Sequence, residues 1–195
     1  MQYIQTGEKN KMNRNEAIKL LDEYIKNPNM IKHSLASESV MAKLADKLGY
    51  DRDKWAMAGL LHDLDVEITN ADLKIHGKET ARILREYNLD PDIIDAITRH
   101  NEGSTELKRE THFHFALASG ETITGLITAT TLVYPDKKLS SVKPKSVVKR
   151  MKEKAFAASV NRDIIMECEK LGMSIEEFAQ LSLNAMQSIN LELGL

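Results

Sequence analysis

The chain has 195 residues, of which 42% are hydrophobic and 29% charged, values typical of one globular domain and not of a disordered chain. A formal net charge of -2 argues against a protein that coats nucleic acid. The single cysteine, Cys168, excludes an internal disulfide and a thiolate zinc cluster, and it favours a reducing compartment. Any bound metal must therefore be held by histidines and carboxylates.

The N-terminal sequence is polar and lacks the apolar core of a signal peptide. No stretch of about 18 apolar residues occurs, so we expect no transmembrane helix and no membrane partner. These features predict a cytoplasmic protein.

Hydrophobic residues recur with the helical period, and no segment alternates as a strand does, so the sequence predicts an all-α bundle of about eight or nine helices. A long apolar helix is expected at its centre. The predicted helices span about 15–26, 30–48, 51–63, 74–87, 91–100, 113–133, 144–156 and 162–171, and a last helix begins after Ser174. Loops are expected at 64–72 and 101–111.

Residues typical of helix ends support these boundaries. Gly49 suits the position after a C-terminus, and Asp51 can cap the helix that follows. Asp90 and Pro91 provide an N-cap and a proline in the first turn.

Histidines and one glutamate fall on helix faces that should point into the core, because positions i, i+3, i+4 and i+7 share a face. Four predicted helices show this pattern: His33/Ala36/Ser37/Val40, Trp55/Ala58/Gly59/His62, Ile93/Ala96/Ile97/His100 and His114/Leu117/Ala118/Glu121. A single inward histidine can simply bond a backbone carbonyl. Several together need a shared partner, because an unpaired buried polar group costs roughly 1–3 kcal/mol. Imidazoles and carboxylates without thiolates suit divalent Fe, Mn, Co, Ni or Zn.

Glu121 is predicted to lie in the middle of the most apolar helix, where a lone carboxylate would be unfavourable. A salt bridge from another helix is one interpretation. A metal ligand is the preferred one.

The segment 59–65 reads Gly-Leu-Leu-His-Asp-Leu-Asp, which places His62 and Asp63 side by side at a helix end. Further His-Gly and His-Asn pairs follow at 76–77 and 100–101, and Thr-Gly-Leu at 124–126. In this order the chain resembles the HD-domain superfamily of metal-dependent phosphohydrolases, particularly small HDIG-type proteins, over about 15–190. The resemblance implies a single compact HD-type domain over 1–195, with a core at about 15–135 and a C-terminal helical extension at about 136–195.

The resemblance also implies the metal ligands. His33, His62, Asp63 and Glu121 would hold one divalent ion, and His76 and His100 would help to hold a second, with Asp63 bridging. Mg is then a further possible metal. The superfamily usually has Asp where this chain has Glu121.

Three polar residues near these motifs have open roles. Asp65 stands where the HDIG tetrad has glycine, and it is a candidate catalytic residue with Asp63, acting either as a base or as a helix cap. His114 is either a further ligand or an ordinary polar residue at a helix start. The role of His112 is open.

Positive charge is concentrated at 137–154, which contains eight Lys/Arg and one acid, a local charge of +7. It could be a solvated helix face, a phosphate-binding rim or, less favoured because aromatics do not interleave with the lysines, a nucleic-acid contact. The candidate phosphate-binding residues are Lys78, Arg99, Lys138, Lys145 and Lys149.

The predicted function is hydrolysis of a phosphoester or phosphoanhydride in a nucleotide or a small phosphorylated metabolite, by metal-activated water. The alternatives are a metal-containing module that senses nucleotides with little turnover, a helical interaction protein with internally bonded histidines, and the oxygen chemistry of a minority of the superfamily. The sequence defines neither the substrate nor the oligomeric state.

Overall fold

The computed structural model describes residues 12–195, and it confirms the predicted all-α fold class. The prediction about the polar N-terminal sequence falls largely on residues 1–11, outside the described part. Eleven α-helices are found in the described residues: α1 Arg14–Tyr24, α2 Pro28–Leu48, α3 Arg52–Leu61, α4 Lys78–Glu86, α5 Pro91–His100, α6 Glu102–Thr105, α7 His112–Leu132, α8 Pro144–Met151, α9 Arg162–Met166, α10 Ile175–Ser188 and α11 Asn190–Leu193. Two 3-10 helices, Leu139–Ser141 and Glu167–Leu171, complete the order.

The central position of α7 agrees with the predicted buried helix. It packs against α2, α5 and α9 and against the 3-10 helix Glu167–Leu171. Leu117, Ile123 and Leu126 are fully buried within it. None of the helices in residues 12–195 is long and apolar enough to cross a membrane.

Helices α2 and α3 pack closely together, because a glycine, Gly59, stands at their crossing. A Cβ atom built on Gly59 would lie 2.6 Å from the carbonyl oxygen of Ser37. That distance excludes a side chain unless the backbones separate. The close crossing sets the first half of α2, with His33, beside the end of α3, with His62.

The segment between α3 and α4 differs from prediction. The expected helix at 74–87 begins only at Lys78, since turns occupy most of 62–77. Gly77, at φ 92°, starts α4 in a left-handed conformation that glycine adopts without strain. His76 therefore lies in a turn and not in the predicted helix.

Three other boundaries differ from prediction. The expected loop 101–111 contains the one-turn helix α6. The helix predicted for 144–156 ends at Met151, and the turns that follow include Ala157 at φ 43°. The guanidinium of Arg162 donates to the carbonyl oxygens of Ala157 and Val160, both at 2.6 Å, and so stabilises a non-helical path there. The predicted helix 162–171 becomes α9 followed by a 3-10 helix.

Candidate metal centre

Six predicted ligands from five parts of the chain meet beside the central helix. Their donor atoms form two groups in which all atoms lie within 4.8 Å of one another. His33, His62 and Glu121 make the partly exposed triad. Asp63, His76 and His100 make the buried triad.

Asp63 connects the two triads. Its Oδ1 lies 3.1 Å from His62 Nε2, 3.0 Å from His76 Nε2 and 3.6 Å from His100 Nε2. Its Oδ2 lies 3.5 Å from His33 Nε2. One carboxylate therefore faces all four imidazoles.

Backbone carbonyls fix the orientation of two of the rings. His62 Nδ1 donates to the carbonyl oxygen of Gly59 at 2.9 Å, and His100 Nδ1 donates to that of Ile97 at 2.5 Å. A carbonyl oxygen only accepts, so each Nδ1 must carry the proton. In the neutral ring, Nε2 then has a lone pair directed at the cluster.

Thr124 has the same effect on His33. Its hydroxyl donates to the carbonyl oxygen of Glu121 at 2.7 Å, which uses its one proton. Its oxygen must therefore accept from His33 Nδ1, which lies 2.9 Å away. The Nε2 lone pair of His33 is again left for the cluster.

Asp65 orients the remaining ring. It is fully buried, and its Oδ1 accepts from His76 Nδ1 at 2.6 Å. Its Oδ2 accepts the backbone N–H groups of Gly77, Glu79 and Thr80 at 2.7, 3.1 and 3.1 Å. With both oxygens occupied, Asp65 acts as the cap of α4 and as the hydrogen-bond partner of His76. This geometry favours the cap over the catalytic base among the two predicted roles.

The donor set fits divalent cations. The Nε2 atoms of His33 and His62 are 3.1 Å apart, as are those of His76 and His100. Two lone pairs at that distance repel unless a cation or a proton lies between them. Imidazoles whose second nitrogen is held by a carbonyl, a hydroxyl or a carboxylate are typical of metal sites.

Without metal, the pKa values diverge strongly across the cluster. Burial and the charge of nearby His62 lower the pKa of His33 to about 4. Burial and the charge of His76 lower that of His100 to about 3. Burial also opposes charge on His76, but its hydrogen bonds to Asp63 and Asp65 raise the pKa to about 10. Without metal, the cluster therefore holds its proton on a ring beside Asp63, which is also where a cation would bind.

Among residues 12–195, Glu121 has no Lys or Arg partner, which favours the metal-ligand interpretation over a salt bridge to a Lys or Arg of another helix. Its Oε2 lies 3.7 Å from His33 Nε2, and its Oε1 accepts from Thr122. Burial raises its pKa to about 7. The carboxylate thus faces the cluster without a fixed counter-charge.

The cluster opens into a cavity of about 650 Å³ lined by His33, His100 and Glu121. Its outer wall includes Arg109 and the segment from Ser159 to Glu167. The five residues predicted to bind phosphate do not line it, a statement that covers residues 12–195.

These five residues lie elsewhere. Lys78, Lys138, Lys145 and Lys149 are exposed. Arg99 is directed away, because it donates to Asp95 at 3.1 Å and to the carbonyl oxygen of Lys108. Being close in sequence to a metal ligand did not predict which lysines and arginines line the cavity, because neighbouring residues on a helix point in different directions.

His114 belongs to a helix cap. Its Nδ1 accepts the N–H groups of Glu110 and Thr111 at 3.1 and 3.3 Å, and its Nε2 lies 2.9 Å from Asp95 Oδ2. His112 contacts the hydroxyl of Tyr50 at 2.9 Å. Of the two interpretations of His114, the ordinary polar residue at a helix start is therefore the one that this geometry favours.

Arg109 is a residue that sequence reasoning missed. Its side chain is 6% exposed and pairs with both carboxylate oxygens of Glu167 at 2.7 and 2.8 Å. It also donates to the carbonyl oxygens of Arg99 and His100 at 3.1 and 3.0 Å. Arg109 and Glu167 are 58 residues apart in sequence, so no local sequence pattern predicts the pair.

Comparison with known proteins agrees with the motifs. The HD domain family model matches residues 30–127. The chain is 38% identical over 74 residues to "Ribonuclease Y" of Mycoplasma mycoides, and 31% identical over 113 residues to "Ribonuclease Y" of Opitutus terrae. These alignments cover 38% and 55% of this chain but only 18% and 21% of those proteins. No solved structure matches.

The matched segment begins before His33 and ends after Glu121, so it contains all six cluster residues. The family match covers half of the chain and confirms the general class predicted from the motifs, a metal-dependent hydrolase. The chain belongs to the HD-domain family.

Proposed function

We propose that this protein hydrolyses a phosphoester or phosphoanhydride bond in a phosphorylated small molecule or nucleotide, using metal-activated water. The observation that carries the proposal is the convergence of four histidine Nε2 atoms on one carboxylate, Asp63. A regulatory module with little turnover would need the same cluster, so measured turnover separates the two.

The proposed ligands of one or two ions of Fe, Mn, Mg, Co, Ni or Zn are His33, His62, Asp63, His76, His100 and Glu121. Such ions make a water nucleophilic at neutral pH and neutralise phosphate oxygens. The chain's own residues supply the orientation. Asp65 and Thr124 hold the rings of His76 and His33, and Asp63 is shared.

The C-terminal segment 136–195 is proposed to act with the core as one HD-type unit. Ser159, Asn161 and Glu167 line the same cavity as His33 and Glu121, and Glu167 is paired with Arg109. A cytoplasmic location stays a prediction, supported by the single buried Cys168.

RNA is the second candidate substrate. The observation that favours it is the name of the relatives, "Ribonuclease Y". The exposed lysines at 138, 145 and 149 could contact such a polymer outside the cavity.

The proposed function is tested with the full chain loaded with Mn²⁺. We expect bound metal by elemental analysis and turnover of 4-nitrophenyl phosphate. His62→Ala and Asp63→Ala should lose both, while the control His112→Ala, which alters an exposed histidine outside the cluster, should keep both. Full metal content in the two cluster variants would refute the ligand assignment. Metal without turnover of any phosphoester would favour the regulatory module.

A further inference from the structure

The cavity over the cluster has an acidic wall. Outside the six cluster residues, its charged lining in the described part of the chain consists of Glu102, Arg109, Asp163 and Glu167. Three of these four are acids. This is the reverse of the cation-lined rim that the lysine-rich segment suggested.

The one cation in this lining is already engaged. Arg109 donates through Nε and Nη2 to Glu167 and through Nη1 to two backbone carbonyls. Four of its five N–H groups are therefore used, and its charge is shared by Glu167 and by Glu102, whose Oε1 lies 3.6 Å from Arg109 Nε. The three acids exceed the one cation, so the lining charge that a ligand meets is negative.

Glu102 is held in place by Arg109 N–H at 2.8 Å and by Lys108 Nζ at 2.9 Å. Lys108 lies outside the cavity lining, and solvent weakens its pairing with Glu102 because its side chain is 76% exposed. Asp163 lines the cavity but is exposed as well, so solvent and salt weaken its effect in the same way.

The charge of the cluster itself balances one phosphate. Two divalent ions with Asp63 and Glu121 would leave about +2, which matches a single phosphate dianion. A second phosphate on the same ligand would lie beyond the ions, against the acidic wall. The like charges of the phosphate and the wall carboxylates would repel each other, and salt would weaken that repulsion.

From this arrangement we propose that the site selects ligands with one phosphate and an uncharged or cationic remainder, and that it excludes polyanions, including RNA. The inference rests on the proposed function. The rest of the lining suits such a remainder, because it is uncharged: Leu73, Asn101, Thr122, Ser159 and Val160.

A matched pair of probes isolates the second phosphate. Adenosine 5′-monophosphate and adenosine 3′,5′-bisphosphate share base and sugar, and binding of each to the Mn²⁺-loaded full chain is measured by calorimetry at low ionic strength. We expect the bisphosphate to bind about tenfold more weakly. Because repulsion is screened, its affinity should rise with salt, whereas a cation-lined nucleic-acid site loses affinity with salt.

Two charge reversals on one segment locate the effect. Asp163→Lys should reduce the preference for the monophosphate about fivefold, since it changes the wall by two charges. Asp163→Asn should also reduce the preference for the monophosphate, and the change in the logarithm of that preference should be about half as large. The control Glu169→Lys makes the same change at an exposed acid that does not line the cavity, and it should leave the preference unchanged.

The outcomes separate the two proposals. Equal or tighter binding of the bisphosphate, or equal responses to Asp163→Lys and Glu169→Lys, would overturn the selectivity. Hydrolysis of a short RNA at least as fast as of the monophosphate would also overturn it. Failure to hydrolyse any phosphoester, with the binding preference intact, would contradict only the proposed enzyme function.

Discussion

The two triads of the cluster differ in how firmly their side chains are held. In the buried triad, His76 is fixed by the carboxylate of fully buried Asp65 at 2.6 Å, and His76 Nε2 lies 3.0 Å from Asp63. In the partly exposed triad, the ring of His33 is 20% exposed, is held by a neutral hydroxyl at 2.9 Å, and stands 3.5–3.7 Å from Asp63 and Glu121.

The difference suggests unequal affinities for metal. A charged hydrogen bond in a buried place fixes a ring more strongly than a neutral one at a cavity mouth. We therefore expect the buried triad to retain its ion when a chelator removes the other one. His33 and Glu121 of the partly exposed triad line the cavity, together with His100 of the buried triad.

The variant with the largest expected effect should weaken metal binding at both triads, so that the difference between them disappears. Asp63→Asn takes away the carboxylate that both triads share, so both ions should bind at least about 100-fold more weakly, since even indirect partners of metal ligands are worth roughly 10–100-fold. Elemental analysis and calorimetry measure this loss. The control Asp46→Asn, at an exposed carboxylate paired with Arg52, should bind metal normally. Equal metal content in both variants would contradict the shared role.

Asp65→Asn should weaken the buried triad alone. His76 loses its charged partner and α4 loses an anionic cap, so affinity for one ion should fall roughly 10–100-fold. The free energy of unfolding should fall by about 1–3 kcal/mol. Titration with Mn²⁺ and thermal melts give the two numbers.

The exposed turn residue Asp72, which caps Lys74 N–H at 2.9 Å, provides a matched control as Asp72→Asn. Loss of both ions in Asp65→Asn, or of neither, would show that the triads do not behave as separate units.

Thr124→Val should weaken the partly exposed triad by about tenfold, at the lower end of the range for such partners. Valine keeps the volume but removes the acceptor of His33 Nδ1. Thr130→Val on the same helix is the control, because within residues 12–195 that buried hydroxyl hydrogen-bonds only to the helix carbonyl of Leu126. If the control lowers metal affinity as much, the effect is one of helix stability and not of ring orientation.

Glu121→Asp should have the smallest effect. Aspartate is one methylene shorter, so the carboxylate moves away from His33 and affinity at the partly exposed triad should change only a few-fold, as roughly one neutral hydrogen bond is worth. Metal content at the buried triad should not change. A loss of both ions would mean that Glu121, like Asp63, serves the whole cluster.

Much of the fold and of the ligand set could be read from local patterns. Helical periodicity put His33, His62 and His100 on core-facing positions, and caps at Asp51 and Asp90 marked the helix starts that the structure shows. These features depend on residues within one or two turns of each other. Local backbone geometry is therefore enough to predict these helix starts and core-facing positions.

The sequence did not predict which lysines and arginines line the cavity, because it does not specify the direction in which each side chain points. A run of eight Lys/Arg at 137–154 is visible as charge, yet Lys145 and Lys149 are exposed and lie outside the cavity lining. Arg109 instead lies in the wall, paired with Glu167 from a distant segment. Which long side chain meets which cavity is decided by how helices pack.

The sequence by itself determined the helices and the inward histidines, because both follow from short-range spacing along a helix. It also determined the family, because the motifs follow one another in the family's order. Only the tertiary structure decided the pairing of His76 with Asp65, the tie between Thr124 and His33, and the acidic wall at Glu102 and Asp163. Those contacts join residues 11 to 91 positions apart or bring separate segments to one cavity. They exist because burial around α7 brings those segments together.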